Sequence, residues 1–239
     1  MSNSTKGADW VAPDCAGMNF YAVDRGLQSG IAAYLPADLR AVVEPQMDRL
    51  GALGGGRLDE LSRIADRHPP VLHPRDAAGR DLETIEHHPA YREMEQLAYG
   101  EFSMHRMCHV EGVFGWPEAM PPLVRYIFQY LFVQGEFGLI CPVSMADTGL
   151  TLMRNQASDE LKERYLPRML SNDMDELWRC AQFLTEQGAG SDVGNIEVMA
   201  RAEGDHWLID GDKWFCSNAD AEVILLLART EGAVAGSRG

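Results

Sequence analysis

The stretch Leu184-Thr185-Glu186-Gln187-Gly188-Ala189-Gly190-Ser191-Asp192 combines small residues, backbone N–H groups and two hydroxyls, the materials of a turn that binds a phosphate or a ring. A nucleotide cofactor is one reading of it. The dinucleotide fingerprint G-x-G-x-x-G is not met, because Gly188, Gly190 and Gly194 are spaced one residue too far and the residues that follow alternate like a strand. No G-x-x-x-x-G-K-[ST] phosphate loop occurs either. A single glycine motif is weak, so on local pattern alone a structural turn is the better reading. His105 and His109 stand at i and i+4 with Cys108 between them and Glu111 after, so one helical face could present two imidazoles. The pair lacks the Glu of H-E-x-x-H, and packing or surface histidines are expected rather than metal ligands. Glu186 and Asp192 flank the glycine turn, where cap or turn roles are preferred to an acid/base couple. Trp207, Trp214 and Phe215 fall on short predicted strands and are expected to fill a core. No G-x-S-x-G nucleophile motif is present, and no residue is assigned a catalytic role.

The elements that must position these residues change character near residue 176. Upstream, Leu123, Tyr126, Ile127, Tyr130 and Leu131 recur at helical spacing while Val124, Phe128 and Phe132 fill another face, which predicts a central helix apolar on both sides. Ser158-Asp159-Glu160 reads as a helix start with acids at the positive end of the dipole, and Pro167 as its end or kink. Further helices are predicted over 58–67 and 89–100, the latter with Pro89 in its first turn. Gly- and Pro-rich loops are expected at 51–56 and 68–79. Downstream the period drops to two over 195–202, and Gly204-Asp205 and Asp210-Gly211 mark tight turns before 206–209 and 213–217. An antiparallel meander follows, flanked by strands at 177–184 and 222–229, the second expected to be buried on both faces. Gly239 follows this hydrophobic strand closely, with nothing after it to pair the edge, so an incomplete protein is expected.

The chain has 239 residues, 46% hydrophobic and 24% charged, which is globular composition. Its net charge of −15 would repel phosphate backbones, which argues against DNA binding by this chain. Five widely spaced cysteines without a C-x-x-C pair read as reduced thiols of a cytosolic protein. The polar residues 1–9 lack the basic-then-apolar run of a signal peptide, so secretion is not expected and the Asn3-Ser4-Thr5 sequon is read as without consequence. The apolar stretch 123–140 carries Arg125, Gln129, Gln134 and Glu136 and reads as a core helix rather than a membrane span.

The glycine turn does not stand alone. An apolar strand, the 184–192 stretch, an alternating strand and then Asp210-Gly211-Asp212-Lys213-Trp214-Phe215-Cys216-Ser217-Asn218 resemble, in that order, the paired signatures of the acyl-CoA dehydrogenase flavoproteins. Cys141-Pro142-Val143-Ser144-Met145 resembles that family's segment on its helical domain. His68-Pro69-Pro70, Arg75-Asp76-Ala77-Ala78-Gly79-Arg80, His88-Pro89-Ala90-Tyr91 and Lys213-Trp214-Phe215 resemble its AidB-like, alkylation-response branch. The resemblance runs from about residue 20 to 230 and implies an α+β fold. A helical domain over 1–176 precedes an incomplete, antiparallel middle β domain over 177–239, and the family's C-terminal helical bundle is missing.

Carried over by position, the resemblance implies an FAD site. Thr185, with backbone near Leu184, would hydrogen-bond the flavin pyrimidine side; Gly190 would permit close approach; Ser191 would bind near the pyrophosphate. Phe215 stands where many members place a Trp against the isoalloxazine, and Ser217 where a Thr lies near the reactive nitrogen. The family desaturates an acyl-CoA thioester, with a Glu of the C-terminal bundle as base and electron-transfer flavoprotein as electron acceptor. It works as a homo-oligomer; here a partner chain could instead supply the bundle. Two readings stay open: the N-terminal half of an FAD-dependent oxidoreductase, or an inactive remnant or interaction module needing a partner chain, linked to protection of DNA from alkylation.

Overall fold

The computed structural model describes residues 12–238; residues 1–9, with the Asn3 sequon, lie outside them. Asn19 opens a short helix α1 (Phe20–Val23), its side chain accepting from the Tyr21 and Ala22 amides, and Asp24 likewise caps α2 (Arg25–Tyr34). Helix α3 spans Ala37–Gly54 and α4 spans Arg57–Arg67. The expected loop at 51–56 is therefore mostly helix. Gly51 serves close packing rather than a break, since a Cβ there would overlap the Tyr21 backbone of α1.

The second expected loop holds a hairpin, β1 (Val71–Arg75) with β2 (Asp81–Glu86), whose ladder shifts register around Pro74. Its strands are almost wholly exposed, so no alternation of apolar and polar residues announces them in the sequence. Helix α5 (Pro89–Glu95) has Pro89 at its start and the His88 ring as cap, and runs into a π-helical turn, Gln96–Glu101. Helices α6 (Pro122–Val133), α7 (Ile140–Gln156) and α8 (Asp159–Met169) follow. On α6 Val124, Ile127, Phe128, Leu131 and Phe132 are buried, with Arg125 and Gln129 beside them; Leu123, Tyr126 and Tyr130 are exposed, so the apolar residues are not covered on both sides as expected. Helix α8 continues through Pro167 to Met169. A proline so near the end removes one hydrogen bond in the last turn only.

The remaining strands are β3 (Cys180–Phe183), β4 (Met199–Glu203), β5 (His206–Asp210), β6 (Val223–Leu226) and β7 (Arg229–Thr230). β4 and β5 form the expected antiparallel hairpin, with Gly204 at positive φ in its turn. The expected meander ends there. β3 pairs parallel with β6, and β7 adds parallel to β4, so the sheets are mixed within an α+β fold of helices followed by strands. The strand expected at 213–217 does not form, because Phe215 (φ 57°) and Asn218 (φ 59°) are left-handed and cannot continue an extended ladder. β6 is buried only at Val223, not on both faces.

Cys180 of β3 and Val223 of β6 belong to the same buried cluster as Met47, Leu50, Tyr99 and Phe128 of the helical layer, so the first sheet is seated on the helices. His105 is fully buried in this core, its Nε2 3.0 Å from the Ser171 carbonyl. Burial pushes its pKa down to about 3 from the usual 6.5. A histidine whose folded value is depressed takes up protons on unfolding, so its contribution is whole above about 6.5 and is lost as pH falls towards 3. His105→Gln is expected to flatten the pH dependence of stability in that window, measured by urea denaturation between pH 7 and 4; an unchanged slope would show that His105 is not the group responsible. None of the five cysteines is in a disulfide. No helix among the described residues is long and apolar enough to cross a membrane.

Candidate functional site

Chain reversal directly after β3 puts Gly188, Gly190 and Ser191 at the surface, while Ala189 is buried. Glu186 and Ala189 exchange backbone hydrogen bonds of 3.1 Å in both directions, closing a tight turn over Gln187-Gly188. Gly188 and Gly190 are not required by packing: a Cβ on either would meet nothing within 4 Å, and neither has positive φ. The amides of Gly190, Ser191 and Asp192 make no hydrogen bond among the described residues. Free N–H donors beside an unfilled, glycine-lined surface fit the phosphates or ring edge of a nucleotide cofactor.

Glu186 holds the turn in place. Its carboxylate is buried, 6% exposed, and accepts from the Glu197 amide at 2.5 Å, the Val198 amide at 3.2 Å and Lys213 Nζ at 2.6 Å. Burial by itself would raise its pKa, but the Glu197 amide, the Lys213 hydrogen bond and the Val198 amide together hold it below the usual carboxylate value. The Lys213 side chain is only 4% exposed and also donates to the Leu184 carbonyl at 3.1 Å. One buried ion pair thus joins the end of β3, the approach to β4 and the 213–218 segment. The preferred cap or turn role of Glu186 understates this: its partners lie 11, 12 and 27 residues away.

The two signature segments meet. The Trp214 N–H donates to the Thr185 carbonyl at 2.9 Å, next to the Lys213 anchor. Phe215 then projects outward, 84% exposed, with the Trp214 ring 6.4 Å away at an edge-on angle. Trp207, Trp214 and Phe215 therefore do not fill a core, as the sequence had suggested; all three are exposed. The Ser217 amide donates to the Phe215 carbonyl at 3.1 Å, and Asn218 Nδ2 to the Cys180 carbonyl at 3.3 Å. Leu184, Thr185, Gly190, Ser191, Phe215 and Ser217 thus belong to two adjoining segments, the aromatic one facing solvent.

Two cavities adjoin them. One of about 610 Å³ lies behind the glycine turn, walled by Glu186, Gly188, Glu197, Asp210, Lys213 and Trp214. The other, about 250 Å³, separates Ser217 and Asn218 from His87, His88, Tyr91 and Pro142 of the helical layer. His105 and His109 do not converge: His109 Nε2 bonds Asp147 Oδ1 at 3.0 Å, away from the Ser171 partner of His105. Among the described residues no group of three or more His, Cys, Asp or Glu is placed to hold a metal ion.

The profile of the Adaptive response protein AidB N-terminal domain matches residues 11–176, and that of the acyl-CoA dehydrogenase middle domain matches residues 181–239. Acyl-CoA dehydrogenase family member 11 of Caenorhabditis elegans is 29% identical over 92% of this chain and 37% of its own length. Putative acyl-CoA dehydrogenase AidB of Escherichia coli K12 is 31% identical over 75% of this chain and 34% of its own length. The crystal structure of Caenorhabditis elegans ACDH-11 in complex with C11-CoA superposes with a TM-score of 0.78 at 26% identity, covering all of this chain and 41% of that one. The chain thus spans between about a third and two fifths of the length of these relatives. With one profile covering the helices and the other the strands that carry the glycine turn, the chain belongs to the acyl-CoA dehydrogenase family, in its AidB branch.

Proposed function

We propose that this chain forms the flavin-cradling part of an FAD-dependent oxidoreductase that desaturates an acyl-CoA thioester. The observation that carries the reading is the 2.9 Å hydrogen bond from the Trp214 amide to the Thr185 carbonyl, which brings both signature segments to one place. FAD, when bound, would supply the acceptor for a hydride from the acyl β-carbon. The chain's own residues bind and orient. Thr185 and the backbone at Leu184 would hold the flavin pyrimidine side, where fixed donors stabilise the charge that reduction brings. The free amides at Gly190 and Ser191, with the Ser191 hydroxyl, take the pyrophosphate. Phe215 would lie against the ring system and Ser217 beside its reactive nitrogen.

An acyl-CoA is the substrate class because a relative of this architecture is crystallised with C11-CoA. The α-proton is left, in this reading, to a base outside the described residues. The division at 176/177 into helical and β domains, a homo-oligomer or a partner chain supplying a helical bundle, and reoxidation by electron-transfer flavoprotein belong to the same reading. The purified chain, titrated with FAD, is expected to quench flavin fluorescence to a one-to-one end point and to retain yellow colour after desalting. A chain that leaves all its FAD in the filtrate overturns the proposal.

A further inference from the structure

We propose that Arg179 is a positioning residue for the Phe215–Asn218 segment, acting through Asp220 and Glu222, and that Glu95 on α5 registers that segment against the helical layer. The inference rests on the flavin reading for its ligand; its geometry stands apart from that reading.

The segment from 211 to 220 has no ladder of its own, and it contains two left-handed non-glycine residues, Phe215 and Asn218. Each such residue costs about 1–2 kcal/mol. The segment keeps this shape because it is fastened at both ends. Upstream the fastening is Lys213 on Glu186 and Trp214 on Thr185. Downstream it is Arg179, a residue only 9% exposed at the entry to β3. Its Nη2 donates to the Asp220 carbonyl at 3.0 Å, to Asp220 Oδ2 at 3.3 Å and to Glu222 Oε1 at 3.1 Å, while its backbone N–H donates to Glu222 Oε2 at 2.7 Å. Its Nη1 reaches Glu95 Oε1 at 3.4 Å. Glu95 is 1% exposed, and its other oxygen accepts from Arg92 Nη1 at 2.6 Å.

A buried ion pair is weak evidence for stability, because desolvation offsets the attraction. What assigns a positioning role is where the three carboxylates lie. Asp220 and Glu222 bracket the passage from Asn218 into β6. Glu95 belongs to α5, whose Tyr91, with the capping His88, faces Ser217 and Asn218 across the 250 Å³ cavity. One guanidinium therefore sets the height of Ser217 above β3 and its distance from α5. Only a planar fork of five donors can address three carboxylates and a carbonyl together. Burial alone would lower the Arg179 pKa, but Glu222, Asp220 and Glu95 raise it, so the charge persists.

The test compares the 239-residue chain with its Asp220→Asn, Glu95→Gln and Arg179→Lys variants, by amide hydrogen exchange without ligand and by FAD titration. Exchange over residues 214–221 is expected to quicken about tenfold in each variant, with α3, α6 and the β4–β5 hairpin unchanged. Bound FAD is expected to show a displaced visible band and an affinity about tenfold weaker. The Asn and Gln variants keep the side-chain size and one acceptor oxygen while removing the charge, so the result does not depend on the lysine variant folding. Unchanged exchange over 214–221, or exchange quickened uniformly along the chain, overturns the positioning role. If the parent chain binds no FAD, the flavin reading falls and the exchange result alone decides this one.

Discussion

Lys213→Met is expected to lower folding stability by about 1–3 kcal/mol, the cost of leaving a carboxylate without its counter-ion beside the cavity behind the glycine turn. Glu186 would keep only its two backbone donors, at Glu197 and Val198. Urea denaturation at pH 7 measures the loss. Adding Glu186→Gln to Lys213→Met should restore part of it, since the double variant buries no charge. The pH dependence gives a second reading. The folded pKa of Glu186 lies below its ordinary 4.5, so the pair's contribution is whole above about 4.5 and is lost as pH falls through the folded value. Without Lys213 one of the pulls holding the carboxyl low is gone, and this acid limb should become shallower. A Lys213→Met chain as stable as the parent, with the same acid limb, would show that the pair contributes nothing.

Gly190→Val separates cofactor binding from folding. A Cβ there meets nothing within 4 Å, and the position needs no unusual backbone conformation, so stability should change by no more than about 0.5 kcal/mol. The same volume is where a flavin cofactor would approach the backbone. Overpacking of about 1–3 kcal/mol corresponds to an affinity loss of about ten- to a hundredfold. FAD titration and thermal melting of the same sample provide both numbers. Gly149→Val is the contrasting control: a Cβ there would lie 2.5 Å from Cys180 Sγ, so that variant should lose stability. If Gly190→Val binds FAD as the parent does, the glycine turn is not the cofactor surface.

Much of the helical layer is legible because its signal is local. The cap at Ser158, the proline at the start of α5 and the apolar spacing of α6 all act within one or two turns. The same locality explains the failures. The β1–β2 hairpin is exposed, so it has no buried face to leave a period of two. Residues 213–217 alternate as a strand would, yet left-handed φ at Phe215 turns the aromatic side chain to solvent. At the candidate site, the residues of each segment could be named from their motifs. The residues that fix the segments, Glu186, Lys213 and Arg179, carry no local mark of that role.

By itself the sequence determined that a helical part precedes a β part, the acidic net charge and the two small-residue and aromatic segments that carry the family resemblance. Tertiary structure alone decided that Lys213 meets Glu186 across 27 residues and Arg179 meets Glu95 across 84. The physical reason lies in what separation along a chain encodes. Within a helix or strand, spacing fixes distance, so residue types predict contacts. Between elements, the entropy of closing a loop changes only slowly with its length, so separation selects no partner. The partner is chosen by packing and by the need to satisfy a buried charge, and both exist only once the chain has folded.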